Sequence, residues 1–211
     1  MTQLILARHG QTYGNVERRW QGWSDTSLNE VGQQQALRLA ERLRPAKGQI
    51  DALYSSPLIR AYQTARPIAL ALDLPIRLVD GLKEFHFGLI EGLTTPEFET
   101  RFPEAFDKWV NSTDFEFTYP GGESRAGFFR RVSDTIEAIA DRHPGETVLV
   151  ITHGGTLRGI LAHFLPDDTE KWLTFSANNG SLTYLNVNGH GPQLITLDDR
   201  DHLAGIDKVE I

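Results

Sequence analysis

Residues 147–152 read TVLVIT, with an unbroken apolar core and no polar face. Such a run is stable as a strand only where both faces are covered, as in the middle of a parallel sheet flanked by helices. A His153-Gly154-Gly155 turn follows at once. Near the N-terminus, residues 3–7 (QLILA) read as a second buried strand, and it too runs into a His-Gly pair, within Arg8-His9-Gly10. Ligands of open α/β sheets bind beyond the carboxyl ends of strands. Two histidines at two such ends are the main functional signal in the chain.

The remaining pattern alternates strands with helices. Asn29 is placed to cap a helix over residues 30–44, with Ala36, Leu39, Ala40 and Leu43 on one face. Residues 52–54 read as a strand. Ser56 as N-cap and Pro57 at the first helical position open the next helix, with Ala61, Ala65, Ile68 and Ala69 as its apolar stripe. Residues 76–79 give a third strand, the Gly121-Gly122-Glu123-Ser124 turn opens a helix to about residue 143, and another helix follows Gly155 to about 165. Residues 181–187 and 193–197, joined through Asn188-Gly189, read as an antiparallel hairpin. The expected fold is an α/β/α sandwich of three layers with a mostly parallel central sheet. It forms a single domain over residues 1–211, interrupted by a flap at about 94–122. That insertion is rich in aromatics (Phe98, Phe102, Phe106, Trp109, Phe115, Phe117, Tyr119), with prolines at 96, 103 and 120.

Charge and cysteine content narrow the function classes. With 28 acidic and 21 basic residues, the net charge of -7 argues against a general nucleic-acid binder. There is no cysteine, which excludes a disulfide scaffold, a zinc finger and a thiol nucleophile, and fits a cytoplasmic location. The apolar run at residues 4–7 is too short for a signal peptide or a membrane span. His143, His163, His190 and His202 form no metal-ligand pattern, and there is no P-loop, Gly-x-Gly-x-x-Gly turn or G-x-S-x-G elbow. A reaction without metal or nucleotide cofactor is the simplest reading.

The strand-end residues suit phosphoryl chemistry. A nucleophilic His9 must be unprotonated on its attacking nitrogen. Arg8 beside it disfavours imidazolium, and a carbonyl bonded to the other nitrogen would fix the tautomer. Arg60 falls in the first turn of its helix, where the dipole disfavours a cation unless an anion sits there too. Glu84 is a candidate to protonate a leaving oxygen and then activate water. His153 could bond a phosphoryl oxygen, with Gly154 and Gly155 freeing helix-start N–H groups. His86 and Phe87 read as lining the pocket or the core rather than doing chemistry. Taken alone, each of these residues is also compatible with a plain structural role.

Their order and context carry more. LILARHGQTYGN, QGWSDTSLNEVGQQQA, SSPLIRAYQTA, LKEFHFGLIEG, GGES and VLVITHGG together resemble the histidine phosphatase superfamily, the phosphoglycerate mutase-like proteins. The match runs from Leu4 to about Gly155 and is loose beyond. The resemblance implies a phosphohistidine mechanism with His9 as nucleophile. Arg8, Arg60 and His153 would form the phosphate pocket, and Glu84 would be proton donor and then general base. It further implies that Asn15 reaches the phosphate, that Gln21 and Gly22 edge the pocket, and that Thr12 is structural. Mutases of this family resemble longer chains with a larger insertion before the GGES turn. Here only residues 85–120 intervene, which favours a phosphomonoesterase acting on small phosphorylated metabolites and releasing inorganic phosphate. A cofactor-dependent phosphoglycerate mutase and a catalytically silent phosphoryl-ligand-binding protein are the alternatives. The flap is expected to set specificity, its aromatics either enclosing substrate or packing onto the body, with Arg101, Lys108 and Arg125 as candidate carboxylate partners. A homodimer through an edge strand or the flap is compatible with the sequence.

Overall fold

The computed structural model describes residues 2–111, 117–165, 172–187 and 191–206. Strands β1 (Thr2–Arg8), β2 (Ala52–Ser55), β3 (Ile76–Leu78), β4 (Thr147–Thr152), β5 (Leu182–Val187) and β6 (Gln193–Asp199) form one sheet in the order β3-β2-β4-β1-β5-β6. The first four run parallel, whereas β5 pairs antiparallel with β1, and β6 antiparallel with β5, along one side. The helices are α1 (Tyr13–Val16), α2 (Glu30–Leu43), α3 (Ile59–Leu72), α4 (Thr95–Arg101), α5 (Pro103–Asn111), α6 (Arg125–Asp141) and α7 (Gly154–Phe164).

The alternation of side chains along a strand builds the three layers. Leu4 and Leu6 of β1, with Val148 and Val150 of β4, face Phe128, Val132 and Ile136 of α6 and Leu157, Ile160 and Leu161 of α7. Ile5 and Ala7, with Leu149 and Ile151, face Leu39 and Leu43 of α2 and Ala61, Ala65 and Ile68 of α3. Val148 to Ile151 are all fully buried, as an apolar run without a polar face requires. Each such side chain contributes ~1.5–3 kcal/mol through burial.

Most element positions follow the sequence pattern, and Asn29 caps α2 by accepting from the Gly32 N–H at 2.8 Å. The start of α3 does not follow it. The helix begins at Ile59 after an extended Leu58, with no side-chain cap, so neither Ser56 nor Pro57 opens it. Ser56 Oγ is engaged instead with His153 Nε2 at 2.8 Å. Ala69 is only half-buried. The insertion contributes two short helices, α4 and α5. Phe115 and the Asn188-Gly189 turn lie outside the described residues, as does His190. No described helix is long and apolar enough to cross a membrane.

Candidate active site

The register of β1 against β4 creates the site. Arg8 pairs with Thr152, so His9 and His153 leave adjacent strands side by side. The His9 N–H donates to the Thr152 carbonyl at 2.9 Å, and the two imidazole centroids are 5.1 Å apart. β2 flanks β4 on its other side and delivers Ser56 and then Arg60 to the same end of the sheet. A pocket of about 250 Å³ opens there, lined by Arg8, His9, Arg60 and Glu84 together with Asn15, Gln21 and Gly22. His153 and Gly154 lie behind that wall rather than in it. His153 is fully buried against His9, and a Cβ on Gly154 would rest 3.4 Å from Arg8 Nε.

His9 Nδ1 lies 2.7 Å from the Gly10 carbonyl. A carbonyl only accepts, so Nδ1 carries the proton and a neutral ring keeps its lone pair on Nε2. Burial first, then the charges of Arg60 and Arg8, hold His9 well below the ordinary histidine range. Burial, with Arg60, His9 and Arg8, does the same to His153. His153 Nε2 lies 2.8 Å from Ser56 Oγ, and in the tautomer that bears its proton on Nδ1 the Ser56 hydroxyl donates to Nε2.

Both arginines are anchored by carbonyls yet keep unused donors. Arg8 Nη1 donates to the Ala177 carbonyl at 2.6 Å, and Arg60 donates to the carbonyls of Ser24 at 2.9 Å and Gly22 at 2.7 Å. Arg8 Nε, Arg60 Nε and His153 Nδ1 are buried with no hydrogen-bond partner among the described residues. Leaving such donors unpaired costs ~1–3 kcal/mol each, so the fold holds them in readiness for an acceptor. Burial lowers the Arg8 guanidinium to about 10, with Glu84 opposing the shift, so it remains a cation at neutral pH. Burial lowers Arg60 too, opposed by Glu84, Asp25 and Glu91.

Glu84 sits where the first turn of α7 begins. Its Oε2 accepts from the Gly155 N–H at 2.9 Å, and Oε1 accepts from the N–H groups of Phe85 at 2.9 Å and Thr156 at 3.2 Å. The helix-start N–H of Gly155 is thus occupied by Glu84 and not free for a phosphoryl oxygen, as the sequence suggested. A negatively charged side chain at the positive end of the α7 dipole accounts for this arrangement. The segment carrying Glu84 is held by Arg131, which donates to the carbonyls of Gly81, Lys83 and Glu84 and pairs with Glu123 of the GGES turn at 2.6 Å.

Asn15 Oδ1 accepts from Thr12 and from Asn179, and Gln21 Oε1 accepts from Thr12 and Thr26. Thr12 is buried and caps α1. Gly22 has φ +51, and a Cβ there would collide with Glu91, which ties Trp23, Ser24 and Phe87 together. His86 packs on Trp23 instead of the pocket, whereas Phe87 lines it.

Sequence reasoning missed Arg18, Arg19, Trp20 and Thr95 in the pocket wall, Ser56 beneath His153, and Asn179 behind His9. Trp20 had a signal, since it lies between matched blocks in the same loop. Asn179 had none, because it belongs to the loosely matched C-terminal part. The insertion's aromatics pack on the body: Trp20 makes ring contacts with Phe87, Phe98, Trp109 and Tyr119. Arg101, Lys108 and Arg125 are not in the pocket wall; Arg125 donates to the Trp109 carbonyl.

Residues 4–200 match the family model described as histidine phosphatase superfamily, branch 1. A Hydrogenobacter thermophilus protein named phosphoserine phosphatase 1 is 33% identical over 204 residues, covering 97% of this chain and 95% of its own. An Arabidopsis thaliana protein named metal-independent phosphoserine phosphatase is 42% identical over 161 residues, covering 76% of this chain and 67% of its own. The solved structure of Bacillus stearothermophilus YhfR superposes with a TM-score of 0.86 at 34% identity, over 96% of this chain and 100% of that one.

Proposed function

This chain belongs to branch 1 of the histidine phosphatase superfamily, and from that premise we propose that it hydrolyses small phosphomonoesters through a phosphohistidine on His9, with no metal. The observation that carries the reading is the set of buried, unpaired donors (Arg8 Nε, Arg60 Nε, His153 Nδ1) gathered around a histidine whose free lone pair sits on Nε2.

A phosphoryl group placed among those donors offers its equatorial oxygens to Arg8, Arg60 and His153, where transition-state charge collects. His9 Nε2 attacks phosphorus in line, and the bond to the leaving oxygen breaks. Glu84 lines the pocket, and among the described residues its Oε2 accepts one hydrogen bond, leaving a lone pair through which a proton can pass. Glu84 enters this step as the carboxylic acid, gives that proton to the leaving oxygen and is left as the carboxylate while the alcohol departs. Water then attacks phosphorus, Glu84 takes up the water's proton, the N–P bond breaks, and orthophosphate leaves with His9 restored. Asn15, Gln21 and Gly22 shape the pocket edge. On this reading residues 1–211 work as one domain, with 94–122 as its lid.

The mouth supports one substrate class. Arg18 lines it at φ +54, and no hydrogen bond or ion pair engages its guanidinium among the described residues. Arg19 beside it is already paired with Glu17 and Glu97. An uncompensated cation next to the phosphoryl pocket favours a phosphomonoester bearing a second anion such as a carboxylate. Phosphoserine, named for two of the relatives, has that chemistry.

The test is turnover of p-nitrophenyl phosphate by purified protein in EDTA, together with acid quench to trap phosphoenzyme. The expected result is metal-independent release of phosphate and an acid-labile adduct that vanishes in His9→Ala, which still folds. Absence of turnover, or phosphoglycerate interconversion dependent on 2,3-bisphosphoglycerate, overturns the reading.

A further inference from the structure

The C-terminal hairpin carries a buried carboxylate that the mechanism does not use. Asp198 of β6 has its side chain 8% exposed and its backbone in the left-handed region at φ +57. Aspartate tolerates that region better than most residues, but a non-glycine residue held there invites explanation. The β5–β6 pairing is irregular at the same place. Tyr184 opposes Thr196 while Leu182 opposes Asp199, so β6 carries one extra residue around Asp198. Such a bulge re-aims a side chain, and bulges recur next to active sites.

The side chain turns to the loop that precedes β5. Asp198 Oδ1 accepts from the Asn178 N–H at 2.7 Å, and Oδ2 accepts from Ser176 Oγ at 2.6 Å and from Asn178 Nδ2 at 2.6 Å. Three donors on one carboxylate fix the backbone over residues 176–178. That backbone reaches the rear of the pocket. Ala177 offers its carbonyl to Arg8 Nη1 at 2.6 Å. Asn179 Nδ2 donates to the His9 carbonyl at 3.0 Å and to Asn15 Oδ1 at 3.2 Å. The Gly180 N–H bonds the carbonyls of Arg8 and His9 at 3.1 and 3.2 Å. Residues 176–180 are absent from the pocket wall, so the loop acts only through the residues it holds.

We propose that Asp198 is a positioning residue for the phosphoryl pocket, locking residues 176–180 so that Ala177, Asn179 and Gly180 keep Arg8, His9 and Asn15 aimed at one anion. The inference rests on reading the pocket as a phosphoryl site. Its physical basis is that, among the described residues, the Arg8 guanidinium makes a single hydrogen bond, to the carbonyl of Ala177, which precedes the Asn178 N–H held by Asp198. The Asp198 charge also favours the cationic form of Arg8, against its burial.

Asp198→Asn keeps the tolerance for the left-handed backbone and replaces one acceptor oxygen by a donor, facing Ser176 and Asn178. Orthophosphate affinity by calorimetry, kcat/KM for p-nitrophenyl phosphate and Tm are measured on the full chain. The expected result is a loss of about tenfold in both phosphate affinity and kcat/KM. Tm should fall by only a few degrees. In the double variant with Asn179→Ala, the losses should combine to clearly less than their product, because both act on one loop. Unchanged phosphate affinity with a lowered Tm, or losses that multiply, overturns the proposal. If Asp198→Asn does not fold, Ser176→Ala decides. It removes one donor at the exposed rim and should give a smaller loss in the same two readouts, and unaltered phosphate affinity there is equally fatal. A wild-type protein that binds phosphate without hydrolysing esters defeats the hydrolase reading alone, since calorimetry still tests Asp198.

Discussion

Gly155→Ala separates the chemistry of Glu84 from the stability of the fold. A Cβ built at Gly155 would stand 3.1 Å from Glu84 Cδ and closer still to Oε1, and no other group is nearer. The obstacle is the free end of a flexible side chain, so the carboxylate moves while the backbone stays. Alanine is the better helix former by ~1 kcal/mol in a helix interior, and by less in a first turn. Against that gain stand the hydrogen bonds from Gly155 and Thr156, at 2.9 and 3.2 Å. A net hydrogen bond to a charged acceptor contributes ~1.5–3 kcal/mol, most of which water restores once the carboxylate swings into the open pocket. Stability should therefore change by no more than ~1–2 kcal/mol, a Tm shift of a few degrees. Displacing a general acid and base forfeits ~10²–10⁴ in rate, and kcat for an alkyl phosphate is expected to fall by about 10². The loss on p-nitrophenyl phosphate should be smaller, since phenoxide leaves with less help from a proton. Steady-state kinetics on both esters, beside Glu84→Gln as a comparator with the same ranking, provide the assay. An unchanged kcat, or equal losses on both esters in either variant, refutes the assignment of Glu84.

Stability should depend on pH through the two histidines. His9 and His153 are held well below the ordinary value of 6.5, so the unfolded chain binds their protons first as pH falls. Their contribution is complete above about pH 6.5 and is lost toward acid at up to ~1.4 kcal/mol per pH unit per histidine. Denaturant unfolding at several values between pH 7 and 5 should show a shallower loss in His153→Gln than in the wild type, and an equal slope contradicts it. EDTA should leave activity unchanged: the pocket presents arginines, and among the described residues no cluster of three His, Cys, Asp or Glu stands ready for a metal. Activity lost to chelation and restored by a divalent cation is the contrary result. Arg18→Gln should lower kcat/KM for phosphoserine about tenfold more than for a phosphomonoester of similar size without a carboxylate, a charge-assisted contact being roughly twice as strong as a neutral one. Equal losses on the two esters would remove Arg18 from substrate recognition.

Sequence alone determined the frame, because the forces that set it are local. An apolar run such as residues 147–152 has to lie within a covered sheet, and a strand that ends on His-Gly has to present that histidine at the sheet's rim. The apolar face of α2 and the caps at Asn29 and Ser124 were readable for the same reason, since the residues that make them lie within a few turns, and the cap donor and acceptor within one turn, of each other. Tertiary structure decided the rest. Only the pairing of β1 with β4 sets two histidines, far apart in the chain, at 5.1 Å between ring centroids. Ser56 looked like a helix cap because nothing nearby in the chain discloses that His153 competes for its hydroxyl. The helix-start N–H of Gly155 looked free because Glu84, with which it bonds, belongs to a different segment. Asp198 and Asn179 carried no signal whatever, since a carboxylate and an amide acquire meaning only from the acceptors and donors that folding brings to them. Periodicity and capping are written into neighbouring residues, whereas the aim of an arginine at a phosphate depends on contacts made across the whole length of the chain.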